Sequence, residues 1–195
     1  MRDKVRLLLA QLTIPHRRVD VAQFRGEPRT VEFRAINPIG KVPTVQFDDG
    51  RVLSGSGAIL FYLAHGTSLL PEEPWDVANV LRWMFFEQYS HEPYIAGNTY
   101  ILRFAPEDER TRLVSRVPEN HKRGPHALSV MEQHLSANDW FAAGRYTIAD
   151  IALFAIPTKP TTAGSTFRLM DRCAVGSIVC VFSRTTLRRC RRIAR

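Results

Sequence analysis

The residues best suited to chemistry lie between Asn37 and Ala64, read as Asn37-Pro-Ile-Gly-Lys-Val-Pro-Thr-Val-Gln-Phe-Asp-Asp-Gly-Arg-Val-Leu-Ser-Gly-Ser-Gly-Ala-Ile-Leu-Phe-Tyr-Leu-Ala64. Ser56 precedes Ala58, Ile59, Tyr62 and Leu63, which recur at helical spacing, so it is predicted to be a helix N-cap. A helix N-terminus offers unpaired N–H groups and the positive end of a dipole, which is the chemistry for holding an anion such as a carboxylate. Taken singly, Ser56 fits an ordinary N-cap as well as a ligand contact. The elements that position it are equally short. Asn37 to Lys41 is a loop by composition, punctuated by Pro38 and Gly40. Thr44-Val-Gln-Phe47 and Arg51-Val-Leu53 are apolar or β-branched runs separated by Asp49-Gly50. That pair predicts a tight type I′ hairpin, in which both central residues need φ > 0.

Other reactive side chains form no constellation. His16, His65, His91, His121, His126 and His134 are scattered, without the i, i+4 pairing of a helical metal site, and are expected to be structural or exposed. Cys173, Cys180 and Cys190 have spacings that do not suit a compact zinc site. An odd number of cysteines also argues against a disulfide framework. No metal is therefore expected. Trp83, Phe85, Phe86 and Tyr89 could line an apolar pocket, but Val77, Val80, Leu81, Met84 and Phe85 already make a stripe of 3.6 period, which predicts core packing.

The whole block from Asn37 to Ala64 resembles the second half of the thioredoxin-like domain of bacterial-like, cytosolic-type glutathione S-transferases. Matches continue on both sides. Lys4 to Ala10 resembles that family's first helix, with Val5, Leu8, Leu9 and Leu12 at helical spacing, and His16 to Val21, entered through Ile14-Pro15, would be the next strand. Pro71 to Trp75 resembles the linker between domains, and Asp76 to Tyr89 the first long helix of an all-α domain. Tyr146-Thr-Ile-Ala-Asp-Ile-Ala152 matches the capping box before a buried helix. There the Thr147 hydroxyl would cap an N–H three residues on while Asp150 reaches back. Helices are expected over Asp76 to about Phe104, about Pro118 to Ser136, and Thr147 to about Phe154.

The resemblance implies an α/β plus all-α fold: an incomplete thioredoxin-like domain over 1–66, a linker at 67–75 and an all-α helical bundle over 76–155. It also implies glutathione as co-substrate. Pro43 would follow a cis bond that turns the Val42 backbone N–H and C=O toward the cysteinyl part of glutathione. Lys41 would lie near the glycine carboxylate, and Ser56 would bind the γ-glutamyl carboxylate. The family usually has Glu-Ser at the last position; here the pair is Gly55-Ser56, so the contact to the ligand's ammonium group is lost and affinity should fall. Tyr94 and Asn98 are expected to face the cleft between the domains.

In such enzymes the thiol of glutathione, with an ordinary pKa near 8.5, is activated as thiolate and attacks an electrophilic carbon. The activating Ser, Tyr or Cys sits between the family's first strand and first helix. Met1 lies almost at the start of that helix, so this strand and loop have no counterpart and no catalytic residue is assigned. Asp3 would repel a thiolate. The strand at His16 to Val21 would also lose its neighbour. The reading is a glutathione S-transferase acting on a hydrophobic electrophile, truncated at its start; the alternative is a non-catalytic, degenerate protein of the same fold. A homodimer is expected from the family.

Composition sets the remaining bounds. No apolar run approaches the roughly eighteen residues of a membrane span. No small-residue cleavage site follows the short apolar run after Lys4, so a cytoplasmic location is expected. The net charge of +8 suggests nucleic acid until it is located. Residues 156–195 hold nine basic residues against Asp171 alone, leaving eighteen of each sign over 1–155, so no nucleic-acid or membrane partner is expected. All three cysteines share that tail, and Pro157 and Pro160 stop the helical pattern. We read 156–195 as the product of a reading-frame shift after Ala155, irregular and without functional residues. The shifted frame can encode Tyr-Thr-His-Lys-Ala-Asp-Asp-Gly-Gly-Phe-Asp-Leu, which resembles the family's continuation. A genuine basic arm is the competing account.

Overall fold

The computed structural model describes residues 2–154. The basic tail, its cysteines and the expected frame shift lie outside the described residues.

Helix α1 (Arg2–Gln11) forms where the sequence predicts it, burying Val5 and Leu8. It ends at Thr13, whose φ of 52° lies in the left-handed region, with the Ile14 N–H closing on the Leu9 carbonyl at 3.0 Å. The strand predicted at His16 to Val21 is not formed. Residues 14–22 are irregular, and His16 to Asp20 are exposed. A strand is stabilised by its ladder, and among the described residues the sheet consists of two strands elsewhere. Short 3-10 turns at Gln23–Arg25 and Glu27–Arg29 then lead to helix α2 (Val31–Ile36).

Strands β1 (Thr44–Gln46) and β2 (Val52–Ser54) pair antiparallel, Thr44 opposite Ser54 and Gln46 opposite Val52. The hairpin is real, but its turn differs from the expected two-residue form. Phe47 N–H bonds the Arg51 carbonyl, and Gly50 N–H bonds the Phe47 carbonyl, both at 2.9 Å. The loop is thus three residues, with Gly50 alone at positive φ (84°). That is the arrangement in which a glycine follows a turn as a bulge. Asp49 is held instead by Arg51, whose N–H and guanidinium both donate to its carboxylate.

Helix α3 (Ser56–Ala64) follows, then α4 (Pro74–Phe86), a π-helical turn (Glu87–His91) and α5 (Glu92–Arg103). The last three make the continuous rod predicted from Asp76 to Phe104. The π turn falls just before Pro93, which has no N–H to give the preceding turn; the Glu92 N–H bonds the Glu87 carbonyl, one residue further back than in an α-helix. Helices α6 (Glu107–Leu113), α7 (Val117–Ala137) and α8 (Ile148–Phe154) complete the described residues.

Helix α8 sits at the centre of the core that the described residues form. Ile148 to Leu153 are all at most 2% exposed, and they pack with Leu8, Leu60, Ala64, Leu69, Val80, Trp83, Met84, Met131 and Phe141 in one core. The capping box is present with one change. Asp150 accepts from the Thr147 N–H (2.9 Å) as expected, but the Thr147 hydroxyl accepts from Ala149 and donates to Asp150. The second Asp150 oxygen takes the Phe141 N–H at 3.2 Å. Burial pushes Asp150 up to about 6, against the pull of these donors. Phe85 leaves the predicted stripe: it is 64% exposed, while Trp83 and Met84 are buried.

Candidate functional site

The site residues read from the sequence converge on one corner, where the loop before β1 meets the start of α3. Asn37, 2% exposed, builds the loop. Its amide donates to the Lys41 carbonyl (2.8 Å) and the Thr44 hydroxyl (3.0 Å), and its oxygen accepts from the Ile39 N–H. Gly40 is required here: at φ 65°, an added Cβ would stand 2.9 Å from the Pro28 carbonyl oxygen. The Val42–Pro43 bond is cis, as expected. The Val42 N–H and C=O make no hydrogen bond among the described residues, so this backbone is available as a short strand edge. Lys41 is exposed, and its ammonium makes no ion pair among the described residues.

The second half of the corner is tied to the first by one bond, from the Gly55 N–H to the Pro43 carbonyl at 3.3 Å. Gly55, not Ser56, is the N-cap of α3, at φ 89° and ψ 119°. A side chain there would meet nothing within 4 Å, so the demand for glycine is conformational rather than steric. Ser56 becomes the first helical residue. It is 3% exposed, and its hydroxyl is without a partner among the described residues. The first intrahelical bond is Ile59 N–H to Gly55 C=O, which leaves the N–H groups of Ser56, Gly57 and Ala58 free of intrahelical partners. A backbone edge, an unclaimed hydroxyl and a helix N-terminus therefore meet at one place. Together they can hold an extended peptide-like ligand that ends in a carboxylate.

Behind the corner, Gly57 lies against the methyl of Met84. One helical turn beyond Met84, Glu87 pairs with Lys4 at 2.5 Å, both side chains at most 2% exposed. Gln88 bridges Glu87 and Glu92. His91 is buried beside them with its Nδ1 unpartnered, and burial, then the Lys4 charge, hold it down to about 4. Burial, then the Glu87 charge, raises the Glu92 carboxyl from its ordinary value. Lys4 and Glu87 stand 83 residues apart, and nothing in the local pattern pairs them. Asn37 was more legible, since Asn in a Pro/Gly loop commonly bonds backbone two residues on.

Tyr94 and Asn98 are placed differently from expectation. Asn98 is buried against α7, accepting from Asn120 at 2.8 Å, and Tyr94 takes a hydrogen bond from Arg123 of the same helix. Both belong to the packing of α5 on α7. Among the described residues no group of three or more His, Cys, Asp or Glu could hold a metal ion.

The glutathione S-transferase N-terminal domain model matches residues 3–65 and the C-terminal domain model residues 83–161. Glutathione S-transferase F10 of Arabidopsis thaliana is 30% identical over 69% of this chain, which spans 64% of that protein. The disulfide-bond oxidoreductase YfcG of Escherichia coli is 31% identical over 76% of this chain and is covered over 71% of its length. Among solved structures, a glutathione S-transferase from Pseudomonas fluorescens superposes with a TM-score of 0.71 at 43% identity, covering 80% of this chain and 76% of that one. With the thioredoxin-like corner, the helical half and the buried α8 in their expected places, the chain belongs to the glutathione S-transferase family.

Proposed function

We propose that this protein binds glutathione at the corner formed by Lys41, Val42, Pro43 and Ser56, and that it conjugates the thiolate to a hydrophobic electrophile. The observation that carries the proposal is the convergence of unclaimed polar groups there. The Val42 N–H and C=O pair with the cysteinyl backbone as a neighbouring strand would. The Ser56 hydroxyl and the first N–H groups of α3 hold the γ-glutamyl carboxylate, and the Lys41 ammonium approaches the glycine carboxylate. Gly55 gives the ligand's ammonium no carboxylate partner, so binding is weaker than a Glu-Ser pair would provide. In the reaction the glutathione thiol loses its proton to water, and its sulfur forms a bond to an electrophilic carbon, while either a leaving group departs with its bonding pair or the pair of a π bond at that carbon moves to the neighbouring atom, which takes up a proton. We assign no thiol-activating side chain among the described residues.

We further read residues 67–75 as the junction of two domains, the protein as cytoplasmic, and its assembly as a homodimer. The exposed aromatics Trp75 and Phe85 on α4, and Tyr89 on the π turn, support the last reading, since large apolar side chains in contact with water favour being covered. Among the described residues, no helix is long and apolar enough to cross a membrane.

Ser56→Ala tests the site. A hydrogen bond to a charged group contributes about 1.5–3 kcal/mol, so glutathione affinity measured by calorimetry should fall roughly 10- to 100-fold. The melting temperature of the free protein should hardly move, because the hydroxyl is not a cap. Unchanged affinity on that substitution would remove Ser56 from the site.

A further inference from the structure

We propose a second binding site, for a small organic monoanion of the carboxylate class, in the cavity between the 3-10 turns of residues 23–29 and helices α5 and α6. The cavity has a volume of about 280 Å³ and is lined by Gln23, Arg25, Gly26, Arg29, Tyr100, Pro106 and Glu109. None of these residues belongs to the Lys41–Ser56 corner, and the proposal stands whether or not glutathione binds there.

The charges in the lining decide the class of ligand. Arg29 is paired with Glu109 at 3.5 Å, across the two halves of the chain, and the Tyr100 hydroxyl donates to the same Glu109 oxygen at 2.7 Å. Burial, and then that bond to Glu109, push Tyr100 up to about 12, so it stays a neutral donor. The Arg25 guanidinium makes no ion pair or hydrogen bond among the described residues; the residue is held by its backbone N–H, which donates to the Ala22 carbonyl at 2.9 Å. With Arg29 offset by Glu109, the cavity carries one uncompensated positive charge, on a guanidinium whose planar fork suits a carboxylate. A dianion such as inorganic phosphate would leave one negative charge unpaired beside Glu109. The Tyr100 ring, Pro106 and Gly26 supply the uncharged wall against which a small organic body packs.

The placement of the site follows from the fold. Gly40, at the base of the Lys41 loop, packs on the Pro28 carbonyl, so the segment carrying Arg25 and Arg29 is fixed against the glutathione corner on one side and against α6 on the other. The polar clamp of Arg29, Glu109 and Tyr100 holds the wall opposite Arg25. The Arg25 side chain is exposed and bears no structural bond among the described residues, and a substitution keeps the backbone bond to Ala22, which makes it a clean probe.

The test uses the full chain, with benzoate and its neutral isostere benzamide titrated by calorimetry or by ligand-observed NMR. Benzoate should bind saturably with a Kd of about 1 mM, and benzamide at least about tenfold more weakly. Arg25→Gln should weaken benzoate about tenfold, with no change in melting temperature, in benzamide binding or in glutathione binding. Saturating glutathione should leave benzoate binding intact. Equal binding of benzoate and benzamide, an Arg25→Gln variant that binds benzoate normally, or competitive displacement of benzoate by glutathione would each overturn the proposal. A failure of glutathione itself to bind would bear on the other site alone.

Discussion

Asp150→Ala should remove a large part of the stability of this protein. At pH 7 the carboxylate is ionised, since burial raises it only to about 6, and it accepts from Phe141 N–H, Thr147 N–H and the Thr147 hydroxyl. Alanine removes the acceptor that these buried donors share. Each unmet donor costs about 1–3 kcal/mol, so the sum is at least about 3 kcal/mol. A domain of this kind holds only about 5–15 kcal/mol in total. The loss is also strategic: Asp150 fixes the entry to α8, on which both halves of the core pack. Urea denaturation followed by circular dichroism measures it. A cost of about 0.5–2 kcal/mol would show that Asp150 acts as an ordinary cap and nothing more.

The second large effect is expected at Lys4. Lys4→Met removes the partner of a carboxylate that is 2% exposed, and breaking one side of a buried pair typically costs about 3–5 kcal/mol. Lys4→Met with Glu87→Leu should recover most of that loss, because two apolar side chains restore the packing and Gln88 still has Glu92 to bond. The double variant separates the cost of an unpaired charge from the cost of disturbing α1. Equal destabilisation in the single and double variants would mean that Lys4 contributes through packing alone. The neighbouring His91 adds a pH signature. Its folded pKa is lowered from 6.5 to about 4, so the unfolded chain takes up the proton first. The contribution of neutral His91 is therefore complete above about pH 6.5 and is lost as the pH falls toward 4.

What was legible in the sequence follows the range of the interaction concerned. The hairpin and α3 are local, and the apolar runs, Gly50 and the helical spacing after Ser56 were enough to read them. The cap was misplaced by one residue, because a serine before a helical pattern is the usual N-cap, whereas here Gly55 takes the positive φ and Ser56 starts the helix with its hydroxyl unclaimed. The strand at His16 to Val21 failed for a non-local reason: β-branched and apolar residues do not hold a strand without a neighbour to ladder against. Phe85 sits at the edge of a stripe whose centre, Val80 and Met84, is buried, and periodicity alone does not fix the width of the covered face. Lys4 with Glu87, and Arg29 with Glu109, are pairs 83 and 80 residues apart that only the folded chain brings together.

The most direct measurement of the central claim is a titration of the isotope-labelled full chain with glutathione, followed by backbone amide NMR. The account predicts saturable shifts concentrated at the amides of Lys41 and Val42 and of Gly55 to Ala58, with little change at Arg25, Tyr100 or Glu109. An absence of saturable shifts, or shifts concentrated at Arg25, Tyr100 and Glu109 while the Val42 and Ser56 amides stay still, would contradict it.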